Sequence, residues 1–142
     1  MSLDDLYRRV IMDHYQRPRN RGRLEENAVT IEMNNPTCGD RISLQLRVED
    51  GKITDAKFFG EGCSISQASA SMMTEAVKGL SIEEALRVSG LFSAMMRGEA
   101  VDMDQFPLED IEALQGVAKF PARIKCATLA WKALEKGVKQ PQ

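Results

Sequence analysis

Most of the familiar signatures of enzyme chemistry are missing from this chain. No G-x-G-x-x-G fingerprint, P-loop or serine-triad signature occurs, so dinucleotide, nucleotide and serine-hydrolase chemistry have no anchor. There is one histidine and one tryptophan, and aromatic residues make up only 6% of the chain. No apolar run approaches the roughly 18 residues that would cross a membrane, and no leader with a cleavage site opens the chain. The expected location is therefore cytoplasmic. Charge of one sign is lacking too: the net charge is −2, with acids and bases mixed, so neither a nucleic-acid stripe nor a polybasic membrane patch is present. The one basic run, Arg17-Pro18-Arg19-Asn20-Arg21-Gly22-Arg23, reads as a solvated loop or as a docking surface for an acidic partner. Repeats, low-complexity tracts and linkers are absent, and a single domain over residues 1–142 is expected. At that length roughly 70% of the unfolded surface is buried, so the fold needs no metal or disulfide staple.

What is present reads as an α+β layout. Leu3, Leu6, Tyr7, Val10, Ile11 and His14 trace the apolar stripe of a first helix. Ser2 with Asp5 starts it, and Arg17-Pro18 stops it. Three strands follow. Val29, Ile31 and Met33 alternate in the first, and Ile42, Leu44, Leu46 and Val48 alternate with polar residues in the second. Asn34-Asn35-Pro36 between them reads as loop. Asp50-Gly51 predicts a tight hairpin into a return strand from about Lys52 to Phe59. Simple alternation would turn Ala56 and Phe58 outward, so a β-bulge is expected near Thr54-Asp55. The rest reads as helices. One runs from Cys63 to a stop at Gly79, and a second opens with the capping box Ser81-Ile82-Glu83-Glu84 and runs to about Val88. A short third covers about Leu91 to Met96, and an acidic loop follows around Asp102 and Asp104. Pro107 is read as the first turn of a helix through Leu114 closed by Gly116, and a last helix starts near Pro121 and ends at Gly137. The expected fold is a small three-stranded antiparallel sheet with helices packed on one face, the N-terminal helix first.

The chemistry-bearing residues are three cysteines and an aspartate. They lie in Pro36-Thr37-Cys38-Gly39-Asp40, Gly60-Glu61-Gly62-Cys63 and Ile124-Lys125-Cys126. No two cysteines form a local C-x-x-C clip, and an odd number raises no pairing problem where thiols stay reduced. Cys38 and Asp40 point to the same side of an extended segment and share one end of the sheet. Cys63 and Cys126 both fall near helix starts, where unsatisfied N–H groups favour a thiolate. Should the four converge, three thiolates and a carboxylate form the donor set of a four-coordinate soft-metal site. Such a site would carry −4 before a divalent ion reduces it to about −2, and Arg41, Arg123 and Lys125 stand near enough in sequence to offset the rest. Apart from one another, the cysteines read equally as small buried hydrophobes, and Asp40 as a turn residue. His14 reads as a packed histidine, with a fourth-ligand role as the alternative; the methionines and Trp131 read as core.

Thr37-Cys38-Gly39-Asp40, Gly60-Glu61-Gly62-Cys63-Ser64-Ile65-Ser66 and Lys125-Cys126-Ala127 resemble the three cysteine motifs of the U-type proteins of iron–sulfur cluster assembly: the NifU N-terminal domain, IscU and SufU. Leu6-Tyr7, Asp13-His14-Tyr15 and Pro18-Arg19-Asn20 extend the resemblance over nearly the whole chain. The SufU branch is the nearest match, because an extra helical stretch lies around Leu91 to Asp104. Lys125 stands where IscU-type scaffolds have a histidine, and of their Leu-Pro-Pro-Val-Lys chaperone motif only Pro121 and Arg123 remain. The resemblance implies a SufE/NifU-like fold and Zn²⁺ held by Cys38, Asp40, Cys63 and Cys126. It implies a sulfurtransferase-like activity in which Cys38 accepts persulfide sulfur from a pyridoxal-phosphate cysteine desulfurase of the SufS type and passes it towards a SufBCD-type scaffold. A partner side chain is expected to take a zinc position and release Cys38 for attack. The alternative is a scaffold on which iron, or a transient [2Fe–2S] cluster, is assembled by the same donors. A zinc-stapled interaction module without transfer activity is a third reading.

Overall fold

The structure is a computed structural model that describes residues 2–37 and 39–139. The elements run α1 (Leu3–Gln16), β1 (Val29–Asn35), β2 (Asp40–Glu49), β3 (Lys52–Glu61), α2 (Ser64–Val77), α3 (Ile82–Met96), two 3-10 segments (Met103–Gln105 and Glu109–Lys119) and α4 (Pro121–Val138). The strands form one antiparallel sheet in the order β1-β2-β3. Its inner face carries Ile31, Ile42, Leu44, Leu46, Ile53, Ala56 and Phe58, all buried beneath the helices. The outer face is crossed by the chain between α1 and β1, whose Leu24 N–H donates to Gln45 Oε1 at 2.6 Å.

Local chemistry sets most of these elements. Ser2 Oγ accepts the Asp5 N–H at the start of α1, and Arg17 caps its end. Asp50 and Gly51 take φ of 53° and 76°, the left-handed pair of a type I′ hairpin. The anticipated bulge is present: Val48 pairs with Ile53 but Arg47 with Asp55, leaving Thr54 as the extra residue. Its hydroxyl donates to the Arg47 carbonyl at 3.2 Å. The slip returns Ala56 and Phe58 to the inner face, where both are fully buried.

The structure corrects the reading of several boundaries. Asn34 and Asn35 are strand rather than loop, and β3 continues to Glu61. The two helices expected over Ser81–Val88 and Leu91–Met96 are one, α3. Ser89 and Gly90 do not break it, because Ser89 is buried and donates to Glu135 Oε1 on α4 at 2.7 Å. Pro107 lies ahead of the helical segment, which begins at Glu109 and passes through Gly116 to Lys119. Ile111, Leu114 and Val117 are buried at intervals of three, the period of a 3-10 helix. Gly137 sits inside α4, packed against Ile31 and Leu46, where a side chain would collide with Leu46 Cδ1.

Packing between α2 and α4 positions the site. α2 buries small residues on nearly every side, so its neighbours approach closely. Ser69 Oγ donates to the Ala127 carbonyl at 2.6 Å and accepts from Trp131 Nε1 at 3.1 Å, fixing the register of α4 on α2. Trp131 stacks on Phe92 with ring centroids 4.6 Å apart. No helix among the described residues is long and apolar enough to cross a membrane.

Candidate metal centre

Three of the four anticipated donors come together. Asp40 opens β2, Cys63 is the N-cap residue of α2, and Cys126 lies one turn into α4. One ligand atom from each lies within 4.8 Å of the others. Tetrahedral donors about 2.3 Å from a zinc ion stand roughly 3.8 Å apart, so a closure of about 1 Å would complete three arms. Two thiols and a carboxylate are donors of the right chemistry for such an ion. The fourth anticipated donor, Cys38, lies outside the described residues.

Each arm is held before any ion arrives. Asp40 and Cys126 are buried, with relative exposures of 1% and 0%, while Cys63 is partly open. Asp40 Oδ1 accepts the Cys63 backbone N–H at 2.9 Å, and Oδ2 lies 4.0 Å from Cys63 Sγ. The carboxylate thus sits at the N-terminus of α2, where the helix dipole favours an anion. Ser66 Oγ donates to the Cys63 carbonyl at 3.1 Å and firms the first turn. The approach of β2 to this turn is possible only because residue 62 is glycine. Its φ is +149°, and a Cβ would overlap the Asp40 carboxylate and come within 2.9 Å of Asp40 Cα. Gly60 answers to the same crowding, since a Cβ there would collide with the Arg41 carbonyl.

The structure brings these donors together through α2 and α4 packing, and two of the three anticipated cations, Arg41 and Lys125, have other surroundings. Arg41 pairs with Glu61 at 2.9 Å on the outer face. Lys125 lines an open cleft with Arg97 and Lys132. The basic run between α1 and β1 makes contacts within the molecule. Arg17 and Arg19 bind Asp13, Arg21 donates to the Gly60 carbonyl, and Arg23 lies over the Phe59 ring at 4.2 Å. These Arg17 and Arg19 contacts hold the Asp13 carboxyl below its ordinary pKa, the Arg19 hydrogen bond contributing most. His14 is buried, with Nδ1 2.7 Å from Ser71 Oγ and Nε2 2.8 Å from Asp110 Oδ2. With both nitrogens occupied it anchors α1 to α2 and to the 109–119 segment. One buried polar side chain near the centre escaped notice in the sequence: Asn35, which reads as loop but faces Asp40 across the strand pair.

Residues 6–127 match the family described as the NifU-like N-terminal domain. The chain belongs to this family. It is 65% identical over 137 residues to the zinc-dependent sulfurtransferase SufU of Bacillus subtilis, covering 96% of this chain and 92% of that protein. It is 49% identical to the iron–sulfur cluster assembly scaffold protein IscU of Streptococcus pyogenes, covering 98% of this chain and 86% of that one. Among solved structures, a candidate iron–sulfur cluster assembly scaffold of the SUF system from Fervidobacterium islandicum superposes with a TM-score of 0.87 at 35% identity, over 97% of this chain and all of that one. The SufE/NifU-like fold expected from the motifs is the fold observed.

Proposed function

We propose that this protein is a zinc-dependent sulfur carrier of iron–sulfur cluster assembly, with Asp40, Cys63 and Cys126 as three zinc ligands and Cys38 as both fourth ligand and sulfur acceptor. The observation that carries the reading is the convergence of Asp40, Cys63 and Cys126 from three separate elements. The similarity to a protein named as a zinc-dependent sulfurtransferase supports the choice of zinc over iron. Lys125, which stands where a scaffold-type histidine is expected, supports it as well.

Bound zinc would keep the coordinating thiols deprotonated at neutral pH. The chain's own residues supply the remainder. Asp40 and Cys63 are fixed by backbone contacts, so the site keeps its shape while the acceptor arm reacts. The Cys38 thiolate attacks the terminal sulfur of a donor persulfide. A new S–S bond forms at Cys38, the donor's S–S bond breaks, and the donor cysteine leaves as thiolate. The donor is a pyridoxal-phosphate cysteine desulfurase of the SufS type, and the sulfur passes on to a SufBCD-type scaffold in the cytoplasm. The apolar groove beside Ser64 and Ile65, walled by Tyr7, Ile11 and Phe120, is a fitting seat for the donor, since Phe120 is 62% exposed.

The test combines metal analysis with turnover. Protein purified without chelators should carry one tightly held zinc per chain and no iron; labile brown iron would favour the scaffold reading. Added to a desulfurase and cysteine, it should raise alanine output, and Cys38→Ser should abolish the gain. Full stimulation by that variant would remove Cys38 from the acceptor role.

A further inference from the structure

Two buried side-chain atoms among the described residues have no hydrogen-bond partner, Asn35 Nδ2 and Ser43 Oγ. Asn35 belongs to the inner face of the sheet, opposite Asp40. Ser43 belongs to the outer face, is 5% exposed, and forms the floor of an open groove of about 450 Å³. Sheet register sets the walls. Glu32 on β1 and Phe59 on β3 are the residues directly opposite Ser43. With strands about 4.8 Å apart, these two flank it at about 10 Å from each other. Arg23, from the chain that crosses this face, lies over the Phe59 ring at 4.2 Å. Arg41 closes one end of the groove, and Thr30 with Gln45 the other.

Contacts within the chain account for part of this lining. Arg41 pairs with Glu61. Gln45 Oε1 accepts the Leu24 N–H, and Gln45 Nε2 donates to Thr30 Oγ1 at 3.2 Å. That leaves Arg23, Glu32 and Ser43. Arg23 and Glu32 carry opposite charges in one groove, yet neither forms an ion pair with the other or with any other described residue. The Ser43 hydroxyl lies between them and can donate as well as accept. Solvent serves exposed charges, but a buried hydroxyl without a partner carries a cost that alanine in its place would avoid. Together the three groups call for a ligand with an oxyanion for the guanidinium and hydroxyl and a cation for Glu32. A carboxylate matches the planar guanidinium fork. A phosphate would bring excess negative charge against Glu32, and a single carboxylate is too few donors to hold a metal ion.

We propose that this groove binds a free α-amino acid, with its carboxylate on Arg23 and the Ser43 hydroxyl and its ammonium on Glu32. Such a ligand is neutral as a whole, so it joins the two unpaired charges without adding net charge to the face. The volume leaves room for an apolar side chain beside Phe59. The site is separate from the metal centre, because Asp40 alternates with Arg41 and belongs to the inner face. It therefore stands apart from the function assigned to that centre.

The test titrates the intact, isotope-labelled protein with L-leucine and with its two halves, reading amide NMR shifts. 4-Methylpentanoate lacks the ammonium, and 3-methylbutylamine lacks the carboxylate. L-Leucine should give saturable shifts at Glu32, Ser43 and Phe59. Each half should bind about tenfold more weakly, the loss of one charge-assisted contact. Glu32→Gln should weaken leucine about tenfold and leave 4-methylpentanoate unchanged, whereas Arg23→Gln should weaken both about tenfold. Ser43→Ala should weaken leucine about fivefold without lowering the unfolding temperature of the free protein, because only an unmet hydroxyl is removed. Absence of saturable shifts at these residues, with leucine and also with L-alanine, whose side chain fits wherever the two charges do, would overturn the proposal. So would 4-methylpentanoate binding as tightly as leucine, or inorganic phosphate binding more tightly, since either makes the groove a plain anion patch. A lower unfolding temperature for Ser43→Ala with leucine binding intact would make Ser43 a packing residue and overturn its part in the site.

Discussion

The two ends of the β2–β3 pair solve opposite problems. At the hairpin end a set of close hydrogen bonds ties the turn to the start of α3. Gly51 O accepts the Ile82 N–H, Ile53 N–H donates to Leu80 O, Gly79 N–H donates to Ile53 O, and Ser81 and Glu84 cap α3 reciprocally. At the other end the chain gathers a buried carboxylate, two thiols and an unmet amide donor, with glycine where any side chain would block their approach. Burial of polar groups without full satisfaction weakens a fold. Asp40 Oδ1 already accepts the Cys63 N–H there, so the Asn35 amide is the group left unmet. The two ends thus differ in how tightly they are packed and in the ionisable groups they bury.

The sharpest way to break this contrast is to place the same methyl group at both ends. Gly62→Ala forces a side chain into the Asp40 carboxylate at a left-handed φ, and Asp40 cannot yield because Cys63 holds it. A loss of about 3 kcal/mol or more is expected, read as lower thermal stability and loss of tight zinc binding. Gly51→Ala meets open space and carries only the left-handed penalty, about 1 kcal/mol, with zinc binding unchanged. Equal zinc affinity in both variants would erase the distinction between the ends.

A smaller effect tests the hairpin end alone. Ser81→Ala removes the Oγ that accepts the Glu84 N–H at 3.1 Å. The loss of one N-cap is worth about 1 kcal/mol, or a fall in Tm of about 4 °C. Zinc affinity and sulfur acceptance should not move. A drop in either would mean that α3 couples to the metal centre through α4.

The unequal legibility of the two ends follows from the same physics. The hairpin, the bulge at Thr54 and the capping box depend on neighbours within a few positions, so their signals survive in the sequence. The continuity of α3 does not, because Ser89 and Gly90 are weak helix formers held there by the contact to Glu135. Asn35 carries a turn-forming side chain yet pairs in register with Asp40, and only the partner strand reveals it. Likewise each cysteine setting, taken alone, leaves packing and ligation equally open. Only the kinship of the three motifs pointed to convergence, because the contacts that produce it, Ser69 to Ala127 and Asp40 to Cys63, link elements far apart in the chain. The interval of three between Ile111, Leu114 and Val117 marks a 3-10 segment, and it runs past the Leu114 end and the Gly116 stop that the sequence leads one to expect.

The least expected change comes from pH, and it too belongs to the hairpin end. The Ser81 backbone N–H, and then its side chain, hold the Glu84 carboxyl below its ordinary value. A carboxyl lowered in the folded state stabilises it fully above the unfolded value and loses that contribution as pH falls through the folded one. Glu84→Gln keeps an acceptor for the Ser81 N–H but has no charge to lose. The variant should melt slightly below wild type at neutral pH, and the gap should close at about pH 3, beneath the usual glutamate range. Glu84 is exposed, so the gap is small and shrinks with added salt. A gap of the same size at both pH values would show that the capping box acts through side-chain shape and hydrogen bonding alone, with no part for the charge.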